Sequence, residues 1–69
     1  MIRVPVDSSS LASVGYDVDN FILEVEFRNG KIYQYLGVPL AIHQKMMSAD
    51  SLGQFLNKYV KPAYECNRL

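Results

Sequence analysis

Two periods govern the placement of hydrophobic residues along this chain. Between Phe21 and Phe27 apolar positions alternate with Glu24 and Glu26, the period-two signature of a β-strand. Asn29-Gly30 interrupts the alternation with the dipeptide that best tolerates positive φ at both central positions of a tight turn. A two-residue turn there pairs Arg28 with Lys31, Phe27 with Ile32, Glu26 with Tyr33, Val25 with Gln34, Glu24 with Tyr35 and Leu23 with Leu36. In that register Phe21, Leu23, Val25, Phe27, Ile32 and Leu36 share the inner face. Tyr33 and Tyr35 then stand on the outer face among Glu24, Glu26, Arg28 and Lys31. Gln34 is the exception on the inner side, expected near a sheet edge or bonded to backbone. The assignment hangs on the turn: a slip of one residue carries both tyrosines into the core.

Upstream, Leu11 to Tyr16 predicts a first strand in which Gly15 marks a bulge or a close backbone approach. Asp17, Asp19 and Asn20 supply the short polar side chains of the turn that follows. Residues 1 to 8 read as an extended lead-in, with Pro5 forbidding a central strand. After Gly37-Val38-Pro39 the period becomes helical. Ile42, Met46 and Ala49 define a first helix, and Ser51 with Gln54 fits a capping box opening a second. Leu52, Phe55, Leu56, Tyr59 and Val60 form the stripe of that second helix, and Pro62 stops it near Val60 or Lys61. Residues 63 to 69 read as a short turn and a frayed end. The expected fold is α+β, a three-stranded antiparallel meander followed by two helices packed on one face.

Composition narrows the class. A chain of 69 residues makes one domain with a modest core, here residues 1–69 with a core of about 6–64. Seven basic and seven acidic side chains cancel, so no global field draws the protein to nucleic acid or to an anionic membrane. Cys66 is the sole cysteine, which excludes an internal disulfide, favours a reducing compartment and reads as a passive tail residue. The start lacks the apolar core of a signal peptide and no run reaches membrane-spanning length, so a cytoplasmic location is expected.

Catalytic chemistry is poorly served. His43, the only histidine, falls on the outer, solvated side of the first helix, with no Ser, Cys or Asp spaced to work beside it. With one Cys and one His, metal-ligand spacing is absent, and no Gly-rich phosphate loop occurs. No cofactor is implied, and no enzyme activity. The exposed tyrosines carry the binding hypothesis: a base stacked on an aromatic ring gains about 1–3 kcal/mol, and Arg28 with Lys31 can meet its phosphate. Glu24 and Glu26, beside the rings in this register, oppose that use. A second cluster, Asn57, Lys58, Lys61 and Tyr64, gathers at the end of the last helix. There the lysines either complement the helix dipole or, on one helical face, grip a phosphate. Decoration of a solvated face and burial in a self-association interface are competing uses of the tyrosines.

Ser9-Ser10-Leu11, Val14-Gly15-Tyr16-Asp17, Tyr33-x-Tyr35, Val38-Pro39 and Ser51-x-Gly53-x-Phe55-x-Asn57 occur in an order and spacing that resembles the KTSC domain family. That module is named for the C-terminus of some lysyl-tRNA synthetases and also occurs alone in bacterial and phage proteins. The resemblance spans about residues 6 to 64 and implies RNA binding, with Tyr33 and Tyr35 as the central motif and Tyr16, Gly15 and Asp17 near the same edge. The resulting expectation is a non-enzymatic module binding RNA or a small nucleotide through Tyr33, Tyr35, Arg28, Lys31, Tyr16, Asn57, Lys58 and Lys61. A phage nucleotide-sequestering role is one form of it. The alternative is a protein-interaction or self-assembly module, a homo-oligomer or a complex with a protein partner, using the same face or a strand edge.

Overall fold

A computed structural model describes residues 1–69. Its single sheet has five antiparallel strands in sequential order: β1 (Arg3–Pro5), β2 (Leu11–Asp17), β3 (Ile22–Phe27), β4 (Ile32–Leu36) and β5 (Cys66–Arg68). Helix α1 (Leu40–Met47) and the short α2 (Leu52–Phe55) follow β4, and α2 runs directly into a π-helical turn, Leu56–Val60. The fold is α+β with two helical segments, as expected, but the meander has five strands rather than three. Both additions are three-residue edge strands, too short to show a period. Pro5 sits in one of them, where its missing N–H leaves no central ladder unpaired. The supposed frayed end is the other, held through Leu36 N–H donating to the Glu65 carbonyl and Leu69 N–H to that of Ile32.

The hairpin register differs from the expected one by one residue. Val25 lies opposite Tyr33, Glu24 opposite Gln34 and Leu23 opposite Tyr35. Of Asn29 and Gly30 only the glycine has positive φ, at 89°, so the two-residue turn that needs both does not form. Instead Phe27 N–H donates to the Lys31 carbonyl and Gly30 N–H to that of Phe27, which closes a three-residue loop. Asn29 Oδ1 accepts from Lys31 N–H at 3.0 Å and fixes the loop's exit. The slip moves Tyr33 and Tyr35 to the helix-facing side with Leu23, Val25 and Phe27, and sends Ile32, Gln34 and Leu36 outward. It also satisfies Gln34, whose Nε2 donates to Glu24 Oε1 at 2.8 Å on the outer face. Phe21, expected inside, instead precedes β3 at φ 57° and is 53 % exposed.

In β2 an irregularity between Leu11 and Ser13 changes the parity of the strand. Leu11, Val14 and Tyr16 can therefore all face the core, although their spacing is not a simple alternation. Gly15 answers a close approach rather than a bulge: a Cβ there would lie 3.0 Å from both the Arg3 Cγ and the Ile2 carbonyl oxygen. Arg3 crosses that gap to reach Glu24, an ion pair on the outer face, and its Nε donates to Ser13 Oγ at 3.0 Å. Ser13 in turn donates to Glu26 at 2.9 Å. The outer face, which no helix covers, is thus closed by a polar net.

The core joins Leu11, Val14, Leu23, Val25, Tyr35 and Val38 to Met46, Leu56 and Val60 of the helical layer. Local chemistry holds the connections. Asp17 Oδ1 accepts from the N–H groups of Asp19 and Asn20, Ser8 Oγ from those of Ser10 and Leu11, and Ser51 Oγ from Gln54 N–H. The regular helix ends before Pro62, with Lys61 N–H donating to the Leu56 carbonyl in π-helical fashion. No helix is long and apolar enough to cross a membrane.

Candidate functional site

The helical layer does not cover all of the inner sheet face. Beyond its end, Phe27, Tyr33, Tyr35, Asn29, Lys31, Lys61 and Cys66 line a groove of about 410 Å³. Each wall has a sequence origin. Tyr33 and Tyr35 reach it by the shifted register, Asn29 and Lys31 from the Gly30 loop, Cys66 from β5 and Lys61 from the end of the π-helical turn. Phe27 and Tyr33 meet edge-to-face, with ring centroids 5.4 Å apart and planes at 86°. The Lys61 ammonium lies 5.2 Å from the centroid of the Phe27 ring. A contact of that kind is worth about 0.5–1 kcal/mol at an accessible site, so the side chain can be redirected at little loss.

Tyr35 forms the floor at 2 % exposure. Burial first, then the neighbouring Cys66 and Tyr33, push its phenol up to about 12, so no negative charge develops on the floor at neutral pH. No acidic residue lines the groove. Glu24 and Glu26, expected beside the tyrosine rings, lie on the opposite face in the Arg3 net. Burial raises the Glu24 carboxyl, but hydrogen bonds from Gln34 and Arg3 and the Arg3 charge outweigh it and hold the group below the usual carboxylate range.

Of the eight residues expected to bind, the groove collects Tyr33, Tyr35, Lys31 and Lys61. The tyrosines, however, are not a solvent-facing pair: one is half-buried and the other closed off. Arg28 is engaged elsewhere, its Nε donating to the Ser8 carbonyl at 2.8 Å. Tyr16 lies on the inner face opposite Leu23, stacked on His43 at 4.8 Å and donating its hydroxyl to the Val38 carbonyl, and does not join the groove. His43 is accordingly half-buried rather than solvated, its Nδ1 buried without a partner, and burial lowers its pKa. Asn57 and Lys58 are exposed and outside the groove lining. Lys58 and Lys61 do not share a face, because the wider π-helical turn rotates less per residue than an α-helix. Lys58 instead sits 5.4 Å from the Tyr59 ring centroid, and Tyr59, expected in the buried stripe, is 50 % exposed.

Phe27, Asn29 and Cys66 were missed as site residues. The lone Gly30 was the only sequence signal for the register that brings Phe27 beside Tyr33. Nothing in a three-residue strand announced Cys66.

The model of the KTSC domain matches residues 7–64. The chain belongs to the KTSC domain family. A crystal structure of a KTSC domain protein from Yersinia pestis superposes with a TM-score of 0.93 at 48% identity, covering 99% of this chain and 96% of that one. A protein of Stutzerimonas stutzeri is 48% identical over 64 residues, which cover 93% of this chain and 90% of the relative. A lysine–tRNA ligase of Nostoc sp. is 30% identical over 63 residues, covering 91% of this chain but 11% of the ligase. This KTSC domain thus matches some relatives along nearly their whole length and others as a small part of a larger enzyme. The segments that carried the resemblance acquire physical reasons in the fold. Gly15 makes room for Arg3, and Gly53 for Ser10, whose Oγ would lie 2.3 Å from a Cβ at that position. Val38 is held at both ends, donating its N–H to the Phe21 carbonyl and accepting the Tyr16 hydroxyl.

Proposed function

We propose that this KTSC domain is a small non-enzymatic binding module that takes an RNA or nucleotide-like ligand in the groove between β4, β5 and the π-helical turn. The observation that carries the reading is an aromatic pair, Phe27 and Tyr33, bordered by Lys31 and Lys61 with no acid in the lining. A base stacks on Tyr33, and the two ammonium groups meet its phosphate. The groove's 410 Å³ falls within the roughly 300–1,000 Å³ of small-ligand sites, which suits one nucleotide unit better than a duplex. The neutral net charge points the same way, since few phosphates can be neutralised at once. Relatives named lysine–tRNA ligase add the association with RNA. A reducing, cytoplasmic setting follows from that reading, with Cys66 as a free thiol.

The test is an NMR titration of labelled protein against short RNAs and mono-, di- and cyclic nucleotides. Shifts at Phe27, Lys31, Tyr33 and Lys61 are expected, and Tyr33→Ala with Lys61→Ala should weaken binding about tenfold or more. Unchanged affinity in that folded double variant overturns the proposal. A second reading, association through a strand edge, is favoured by β5, whose three residues are all exposed at the rim of the sheet. Line broadening that grows with protein concentration and maps to Cys66–Arg68, with no response to nucleotides, would select it.

A further inference from the structure

The groove is one of two places where aromatic rings meet lysines. Outside the groove lining, on the same helical segment, Phe55 and Tyr59 pack at 4.9 Å with planes at 47°, and the Lys58 ammonium stands 5.4 Å from the Tyr59 centroid. These two rings are shared by adjoining clefts of about 310 and 230 Å³, one bordered by Lys45 and the other by Lys58. The chain has four lysines, and all four border either this aromatic pair or the groove. Of its seven acidic residues only Asp50 lines any of these surfaces. In a chain of zero net charge, every lysine therefore borders a cleft that is also lined by aromatic rings.

We propose that Phe55 and Tyr59, flanked by Lys45 and Lys58, form a second stacking subsite for the same ligand. The ligand is then a short single-stranded oligonucleotide that crosses the π-helical turn, rather than a free mononucleotide. This inference rests on the nucleotide reading of the groove and extends it. The two subsites are joined by one stretch of backbone: Phe55, Lys58 and Tyr59 line the second subsite and Lys61 lines the groove. An α-helix would bring Lys58 and Lys61 toward one face; the π-helical turn sets them over different clefts, as a strand laid across the segment requires. Stacking asks only for a π-face, so the surface accepts any base and needs no base-edge readout. The longest dimension of the molecule, 27 Å, limits such a strand to a handful of nucleotides. That is near the lower end of the roughly 4–16 that small single-strand-binding folds occupy.

The experiment is calorimetric titration with AMP and with oligoadenylates of increasing length, up to about six nucleotides. It uses the unmodified protein, Tyr33→Ala and Tyr59→Ala, each checked for native circular dichroism. The longer strands should bind at least about tenfold more tightly than AMP, and Tyr59→Ala should bring them down to the affinity of AMP. Lys45→Ala and Lys58→Ala should each reduce the salt dependence of oligonucleotide binding by about 0.7 in the log–log slope. Equal affinity for AMP and the longer strands, or full oligonucleotide affinity in Tyr59→Ala, overturns the second subsite. If AMP then still binds and Tyr33→Ala abolishes it, the groove reading survives alone. If neither ligand binds the unmodified protein, both fall together.

Discussion

Replacing Arg3 with methionine tests the polar net that closes the outer sheet face. The side chain is 28 % exposed and that of Glu24 only 8 %. Breaking a fully buried pair by removing one partner costs about 3–5 kcal/mol, whereas an exposed pair is worth about 0–1 kcal/mol. Arg3 has one side in water, and Gln34 still donates to Glu24 after its removal, so the expected loss falls between, at about 2 kcal/mol. For a domain of this size total stability is about 3–10 kcal/mol, and the loss should lower the melting temperature by roughly 8–16 °C.

Its pH dependence makes the prediction specific. The folded-state pKa of Glu24 is depressed, so its contribution is present above the unfolded carboxyl value of about 4.3 and is lost as pH falls through the folded value. Without Arg3, burial opposes the carboxylate and Gln34 alone supports it. The gap between the two proteins should therefore be wider at pH 7 than at about pH 3, because it shrinks as pH falls below the unfolded carboxyl value and through the folded value of Glu24. Urea unfolding followed by circular dichroism at both pH values measures it. Adding Glu24→Gln should recover at least about 1 kcal/mol of the Arg3→Met loss by removing the stranded charge. A gap of equal size at both pH values, with additive effects of the two substitutions, would refute the account.

Gly53→Ala should change sign with its neighbour. In the native background the new Cβ would lie 2.3 Å from Ser10 Oγ, and that clash outweighs the helix-propensity gain. In Ser10→Ala only the Ser10 Cβ remains, at 3.7 Å, and the same substitution should stabilise by up to about 1 kcal/mol, read from urea midpoints. Burial depresses the folded pKa of His43, so the unfolded chain takes up a proton first as pH falls below about 6.5. Stability should decline from there until the folded value is passed, and His43→Phe, which can keep the stack on Tyr16, should flatten that slope; a slope unchanged in the variant would assign the proton elsewhere.

Local chemistry was the legible part of this fold. The Asp17 turn, the Ser51 half of the capping box and the stop before Pro62 each depend on one or two side chains acting on nearby backbone, and each forms as expected. The edge strands were illegible because three residues carry no period. The hairpin register was illegible for another reason. Asn-Gly serves a two-residue turn, but its glycine alone also closes a three-residue loop, so the choice is made across the sheet and not in the turn. The observed register buries Tyr35 and gives Gln34 a partner in Glu24; the alternative exposes one and strands the other. Those gains come from residues several positions from the turn, beyond the reach of a reading that starts at the dipeptide.

That single slip also determines what kind of surface the domain presents. In the expected register the tyrosines share a face with Glu24 and Glu26, and an anionic ligand meets repulsion at its stacking platform. In the observed one Glu24 and Glu26 are engaged by Arg3, Ser13 and Gln34 on one side of the sheet, while the groove on the other is lined by Lys31 and Lys61 and by no acid. Interactions between exposed charges fade beyond a screening length of about 8 Å at physiological salt, so a ligand in the groove responds to its lining lysines more than to the chain's net charge. The zero balance that argued against nucleic acid therefore bears on long duplexes, whose binding draws on many phosphates at once. Under the proposed nucleotide reading, it leaves a short strand, held by a few lysines and stacked bases, as the ligand that such a charge distribution would serve.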